Sequence, residues 1–241
     1  MKIARLYAHL SPQFRLRRMY RFAEEFEIDS GTRILDVGGS HHIWELLPVR
    51  PDVVLVNILP PDAEDAAEIE RSPNLHAVLG DACRLPFEDD AFDLVFSNSL
   101  IEHLFTFENQ RRFADECRRV APRYYVQVPN QRFLIEPHLL TPFIHWLPQR
   151  ARARLLRNFT VWGLLTRPTR EDCAHFVEEV RLLTKQDLGR LFPEAEIWHE
   201  RVLGLSKSFM AVRSGRRPDG ETSRDDRRVA QPDRVLGGPQ R

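Results

Sequence analysis

Arg33-Ile-Leu-Asp-Val-Gly-Gly-Ser40 is a short apolar run that ends in an acidic residue and two glycines. Its first five residues have the length and composition of a buried parallel strand, and glycine at the exit lets the backbone pass close to a ligand. Working outward, Val53–Ile58, His76–Leu79, Phe92–Ser97 and Tyr124–Val128 repeat the near-continuous apolar pattern. Helix candidates lie between them. Asp62–Arg71 is rich in Ala and Glu, and over about 108–120 Phe113, Cys117 and Val120 fall at i, i+4 and i+7. A helix is also expected to start near His41 and to present free N–H groups behind the glycine turn. Strand and helix alternating at this spacing imply right-handed crossovers and a doubly wound, mostly parallel α/β sheet. Farther on, Thr184–Phe192 reads as a short helix, and Glu196–Val202 with Ser208–Val212 as an antiparallel hairpin that brings the sheet to seven strands.

Residues 131–180 break this rhythm with Pro137, Pro142, Pro148 and Pro168 and read as an inserted helical lid, so that 33–213 is one domain preceded by a helical segment over 1–32. The stretch 214–241 holds few large apolar residues and is expected to be disordered, because it cannot bury enough surface to offset the entropy of ordering. Over the chain, 35 Lys+Arg balance 35 Asp+Glu, which removes the basic excess of a protein that binds nucleic acid through phosphates. The balance is not local: 1–23 and 148–170 each carry six basic and no acidic side chains. Interleaved with Phe143, Trp146, Phe159 and Trp162, the second stretch suits an anionic membrane surface or a phosphorylated substrate, although a solvated charged helix face would look the same. Cys83, Cys117 and Cys173 form no CxxC pair, so neither a disulfide framework nor a zinc site is expected. The first 22 residues are acid-free and Arg-rich but contain one serine, short of a transit peptide. The expected location is the cytoplasm, peripheral at most to the inner face of the membrane.

The segment Gly80-Asp-Ala-Cys-Arg-Leu-Pro-Phe-Glu-Asp-Asp-Ala-Phe-Asp-Leu-Val-Phe-Ser-Asn-Ser-Leu-Ile-Glu-His-Leu104 narrows the reading. With the LDVGG turn and the ECRRV run of the following helix, it resembles the class I S-adenosylmethionine-dependent methyltransferases of the type 11 group. The resemblance covers about 33–130 and, more loosely, 184–212. The later VPNQRFLIEPHLLTPFIHWLP is similar to a bacterial subgroup associated with cell-envelope sugars and lipids. A Rossmann-like methyltransferase fold with S-adenosylmethionine as cofactor is what this implies. By the same resemblance Asp36 orients the first loop and the methionine amino group, and Gly38 and Gly39 let the loop pass the methionine carboxylate and ribose. Asn57 stands where the family usually has an acidic residue on the ribose diol; its amide can accept one hydrogen bond and donate another. Asp81 and the Ala82 backbone face the adenine, and Ser97 and Asn98 line the floor beneath the sulfonium. Asp36 and Asp81 could equally cap local turns. A lone glycine pair without GxGxxG and without an acidic end to strand two is weak support for a dinucleotide site.

Methyl transfer is an in-line displacement in which positioning can dominate, but a hydroxyl acceptor also needs its proton removed. The Glu102–His103 pair follows strand four, and His103 is the first candidate base. Glu136 and His138 of the lid are second candidates. Relatives in quinone pathways hold a divalent ion at this pair, and Ser99 stands where a further acidic ligand would be needed, so no metal is expected. His41 and His42 do not suggest one either, since adjacent helical side chains diverge by about 100°. The expected partner is a small-molecule or lipid- or sugar-linked acceptor methylated at oxygen. A non-catalytic methyltransferase-like binding module is the alternative.

Overall fold

In a computed structural model the described residues are 12–136, 139, 141–202 and 204–215. Helix α1 (Pro12–Glu25) precedes β1 (Arg33–Val37), a 3-10 turn (His41–Leu46), β2 (Asp52–Asn57), α2 (Ala63–Arg71), β3 (Leu75–Leu79), β4 (Leu94–Asn98), α3 (Phe107–Val120) and β5 (Tyr124–Pro129). The lid region holds a small hairpin of β6 (Ile135–Glu136) and β7 (Thr141–Pro142), then α4 (Gln149–Phe159), α5 (Val161–Thr166) and α6 (Arg170–Glu179). Helix α7 (Lys185–Leu191) leads into β8 (Glu196–Val202) and β9 (Leu205–Arg213).

The seven-stranded sheet has the order β3-β2-β1-β4-β5-β9-β8, with β1 to β5 parallel and β9 antiparallel to both neighbours. This is the doubly wound, Rossmann-like sheet expected, closed by an antiparallel hairpin. Side chains alternate along each strand, so the two faces of the sheet build two cores. Leu35, Val37, Val95, Val126 and Ala211 pack under Phe113 and Cys117 of α3 and Leu188 of α7. Ile34, Val53, Phe96 and Tyr125 pack under Met19, Phe22 and Phe26 of α1. The Phe22 ring lies edge-on to Phe96 at 4.9 Å and to Tyr125 at 5.3 Å, the tilted geometry that aromatic quadrupoles favour.

The Leu85-Pro-Phe87 stretch is clamped by the acidic and basic ends of the α3 run. Glu116 accepts the Leu85 N–H at 2.6 Å, while Arg119 donates to the Phe87 carbonyl at 2.7 Å and the Leu85 carbonyl at 3.2 Å. Caps set the helix starts: Asp62 accepts from two N–H groups of α2, and Thr169 and Thr184 each form a reciprocal capping box, with Asp172 and Asp187.

Two sequence readings need correction. The helix expected near His41 is a six-residue 3-10 turn, because Pro48 forces Leu47 into the extended region (ψ 142°) and no α-helix can continue through it. Strand four begins at Leu94 instead of Phe92, and β9 is longer than foreseen, from Leu205. The lid is helical over α4, α5 and α6 as expected, with the short β6–β7 hairpin opening it. The expected disorder of the tail, and residues 1–11 of the N-terminal segment, lie outside the described residues apart from Ser214 and Gly215.

Candidate functional site

Strand order reverses between β1 and β4, and the carboxyl ends of strands beside such a switch point leave a crevice. The Gly38–Ser40 loop sits there. Gly38 turns the chain at φ +76°, and a Cβ on it would lie 2.7 Å from Leu100 Cδ1. A Cβ on Gly39 would overlap the Asp36 carboxylate. Asp36 itself is completely buried; its Oδ2 accepts the Trp44 indole N–H at 2.9 Å, and Oδ1 has no hydrogen-bond partner among the described residues. Burial raises this carboxyl to about 7, against a smaller opposing effect of the indole bond. A buried, half-satisfied acid under a glycine loop is the complement of a cationic group, and an ammonium such as that of a methionine moiety fits it.

At the end of β2 the Asn57 amide donates to the Gly39 carbonyl at 3.0 Å, tying the loop down and leaving its own carbonyl oxygen for a ligand hydroxyl. A groove of about 1020 Å³ runs past Gly39, Ser40, Asn57, Ile58, Leu59 and Leu79. Ile58 and Leu59 are 76% and 72% exposed, an apolar pair positioned to cover a flat ring. Asp81 and Ala82 do not line this groove. Asp81 is exposed and accepts the Cys83 N–H at 2.8 Å, so it caps a turn and keeps its second oxygen available. Asn57→Asp is expected to lower the melting temperature of the ligand-free protein, because a carboxylate cannot donate to the Gly39 carbonyl and that loss costs about 1–3 kcal/mol. Thermal denaturation checks this, and an unchanged midpoint would show that the loop does not depend on the amide.

The end of β4 carries a second constellation. Ser97 is buried and donates to the Val37 carbonyl at 2.9 Å, joining β4 to the first loop. Asn98 accepts from Arg18 of α1, and Arg18 reaches Glu200 with two N–H groups, each at 3.2 Å. Ser208 donates to Glu200 at 2.9 Å and the Lys207 ammonium stands 3.7 Å away, its pKa lowered by burial. Ser99, at φ +59°, donates to Gln127 Oε1 at 2.8 Å. Glu102 is fully buried and His103 half-buried on the 3-10 turn Ile101–His103, so the expected pair follows β4 directly. Glu136 lies on β6, but its side chain and all of His138 fall outside the described residues. The structure thus places Ser97, Asn98, Glu102 and His103 in one short segment that joins the first loop.

Sequence reasoning missed Trp44, Arg18, Glu200 and Ser208. Trp44 had a signal, an indole eight residues after Asp36 in the turn that follows the glycine loop. Arg18 and Glu200 are 182 residues apart, and nothing local links them. The divergence expected of His41 and His42 is also corrected: their ring centroids are 3.8 Å apart. Both rings turn toward one carboxylate, with His41 Nδ1 3.5 Å and His42 Nε2 3.8 Å from Asp65 Oδ1. Together with Glu45 they offer ligand atoms within 4.8 Å of one another.

Residues 35–123 match a family model described as a methyltransferase domain. No curated protein matches. Among solved structures, a Rhodobacter sphaeroides protein described as a Zn-dependent alcohol dehydrogenase superposes with a TM-score of 0.56 at 16% identity, over 80% of this chain and 86% of that one. Magnesium protoporphyrin IX methyltransferase from Synechocystis, with bound S-adenosylhomocysteine, gives 0.54 at 12% identity over 87% of each chain. The 1,6-didemethyltoxoflavin-N1-methyltransferase of Burkholderia thailandensis gives 0.53 at 11% identity, over 84% of this chain and 78% of that one. At these identities the likeness is one of fold.

Proposed function

We propose that this S-adenosylmethionine-dependent methyltransferase moves its methyl group to an oxygen of a small or lipid- or sugar-linked acceptor held between the carboxyl edge of the sheet and the lid. The observation that carries the donor site is the unpaired Asp36 oxygen beneath the Gly38–Gly39 turn. When bound, the donor supplies an electrophilic methyl on a sulfonium, a good leaving group. This chain's residues orient it. Asp36 takes the ammonium, and Gly38 and Gly39 leave room for the methionine backbone and ribose. Asn57 fixes the loop while its carbonyl accepts a ribose hydroxyl, and Ile58 and Leu59 cover the adenine. Asp81 and the Ala82 backbone follow β3 outside the groove's lining, and they meet the ring's polar edge only if the adenine extends past Leu79.

On the acceptor side Ser97 and Asn98 form the floor, held by the Val37 carbonyl and by Arg18. His103 removes the acceptor proton as carbon–oxygen bond formation proceeds, and the adjacent Glu102 is the second candidate on the same turn. Glu136 and His138 serve the same end from the lid if the acceptor approaches from that side. Its charge pattern suits an envelope-associated enzyme at the inner face of a membrane, with 1–23 and 148–170 toward anionic headgroups, and no described helix is long and apolar enough to span one.

Incubation with methyl-labelled donor and pools of hydroxylated lipids and sugars, read by mass spectrometry, tests the acceptor class. Label on nitrogen, or only on water-soluble amines, would overturn the oxygen assignment. Calorimetry tests the donor, and no heat at millimolar S-adenosylmethionine would overturn that part. His103→Ala is expected to reduce turnover by 10²–10⁴-fold with donor affinity unchanged, the usual contribution of a general base. Equal turnover in the variant would remove His103 from the chemistry.

A further inference from the structure

The lid carries a concavity that the donor and acceptor sites leave unused. Between α4 and the segment joining α5 to α6 lies a cavity of about 600 Å³ lined by Arg154, Arg157, Asn158, Arg167 and Arg170, with Ala153 and Cys173 at its base. No carboxylate lines it. The nearest acidic residues in sequence are Glu171 and Asp172 in the first turn of α6, and Asp172 is committed to the Thr169 cap. None of the four guanidinium groups makes a hydrogen bond or ion pair within the described residues. Elsewhere Arg18, Arg111, Arg118 and Arg119 are paired with carboxylates; what sets the lid group apart is that its four guanidinium groups line one concavity.

Four unpaired like charges around one cavity repel one another, and the arrangement is relieved by an anion that several of them share. Guanidinium forks match the oxygens of phosphate in pairs, and a side-chain amide such as that of Asn158 adds a neutral donor. Arg167 adopts the left-handed conformation at φ 50°, at the C-terminal end of α5, where glycine is the ordinary occupant. The exposed apolar residues Phe159, Leu164 and Leu165 belong to the same two helices. None of these three lines the cavity, so they bear only on whether the lid also meets an amphiphile, which vesicle flotation reads.

We infer that this lid cavity binds a phosphate or diphosphate group. This deepens the acceptor reading above by giving the acceptor, or the lipid that presents it, a phosphoryl group. The pocket is separate from the donor groove, so the two can fail independently.

Isothermal calorimetry of the full chain with inorganic pyrophosphate tests the site, and donor binding measured on the same preparations tests the methyltransferase reading apart from it. The double variant Arg157→Glu, Arg167→Glu is expected to bind pyrophosphate at least tenfold more weakly. A variant with the same change in charge, Arg111→Glu, Arg112→Glu on the exposed face of α3, should bind as the unaltered chain does. Flotation with vesicles of phosphatidic acid in phosphatidylcholine identifies the source: capture lost only in the lid variant points to a lipid phosphate, and pyrophosphate binding without capture points to a soluble phosphorylated acceptor. No heat with pyrophosphate, or equal weakening in both double variants, would overturn the site.

Discussion

Gly39→Ala is expected to abolish measurable donor binding and to lower the melting temperature by about 10 °C. The reason is local and severe. A Cβ at this position overlaps the Asp36 carboxylate, which is wholly buried and already hydrogen-bonded to Trp44. The carboxylate cannot swing away without breaking the indole bond, and the loop cannot lift without breaking its ties from Gly38 N–H to the Val56 carbonyl and from Asn57 to the Gly39 carbonyl. Forced overpacking costs about 1–3 kcal/mol and an orphaned buried polar group about 1–3 more. In a chain of this size each kcal/mol moves the midpoint by roughly 2–4 °C. Gly189→Ala is the internal control: it lies within α7 with nothing near its absent Cβ, so alanine should stabilise by about 0.5–1 kcal/mol. Differential scanning calorimetry and donor titration read both variants. Full donor affinity in Gly39→Ala would show that the loop does not cradle the donor.

The strands and their parallel order were legible because each β-strand buried on both faces is a continuous apolar run, and β1, β2 and β5 stand where those runs do. The resemblance of the GDA-to-EH segment also has a visible basis, since Glu116 and Arg119 hold the backbone of Leu85 and Phe87 in place. Less could be read where the determinant is a long-range pairing. The Arg18–Glu200–Ser208 cluster joins the first helix to the last two strands, and no spacing rule connects them. The 3-10 turn at His41 was missed because a single proline downstream overrode a plausible helix start. The roles of His41 and His42 depended on Asp65, a side chain of α2 that only the folded crossover brings to them. The lid's hairpin is two residues per strand, too short for any alternation to appear.

Asp36 should make donor binding depend on pH in a defined direction. Burial raises its carboxyl from 3.8 to about 7 in the folded chain, while the unfolded chain keeps the ordinary value. Between those two values the ligand-free folded protein holds a proton that the unfolded chain has released. Its stability therefore falls as pH rises from about 4 to about 7 and is level above that, with a total on the order of 4 kcal/mol from this group. An ammonium placed against the carboxylate favours the ionised form, so donor binding at pH 6 must release a proton. Affinity should rise roughly tenfold from pH 5.5 to 7 and then flatten. The amino group of the donor titrates near 8 and lies outside this window. Asp36→Asn removes the titration: donor affinity becomes weak and flat over the same range, while the ligand-free variant is more stable than the unaltered chain at pH 8, since it no longer buries a charge. Calorimetric titration at four pH values in buffers of different ionisation enthalpy measures both the affinity and the protons released. A slope that survives in Asp36→Asn would assign the proton to another group and leave Asp36 a structural partner of Trp44 alone.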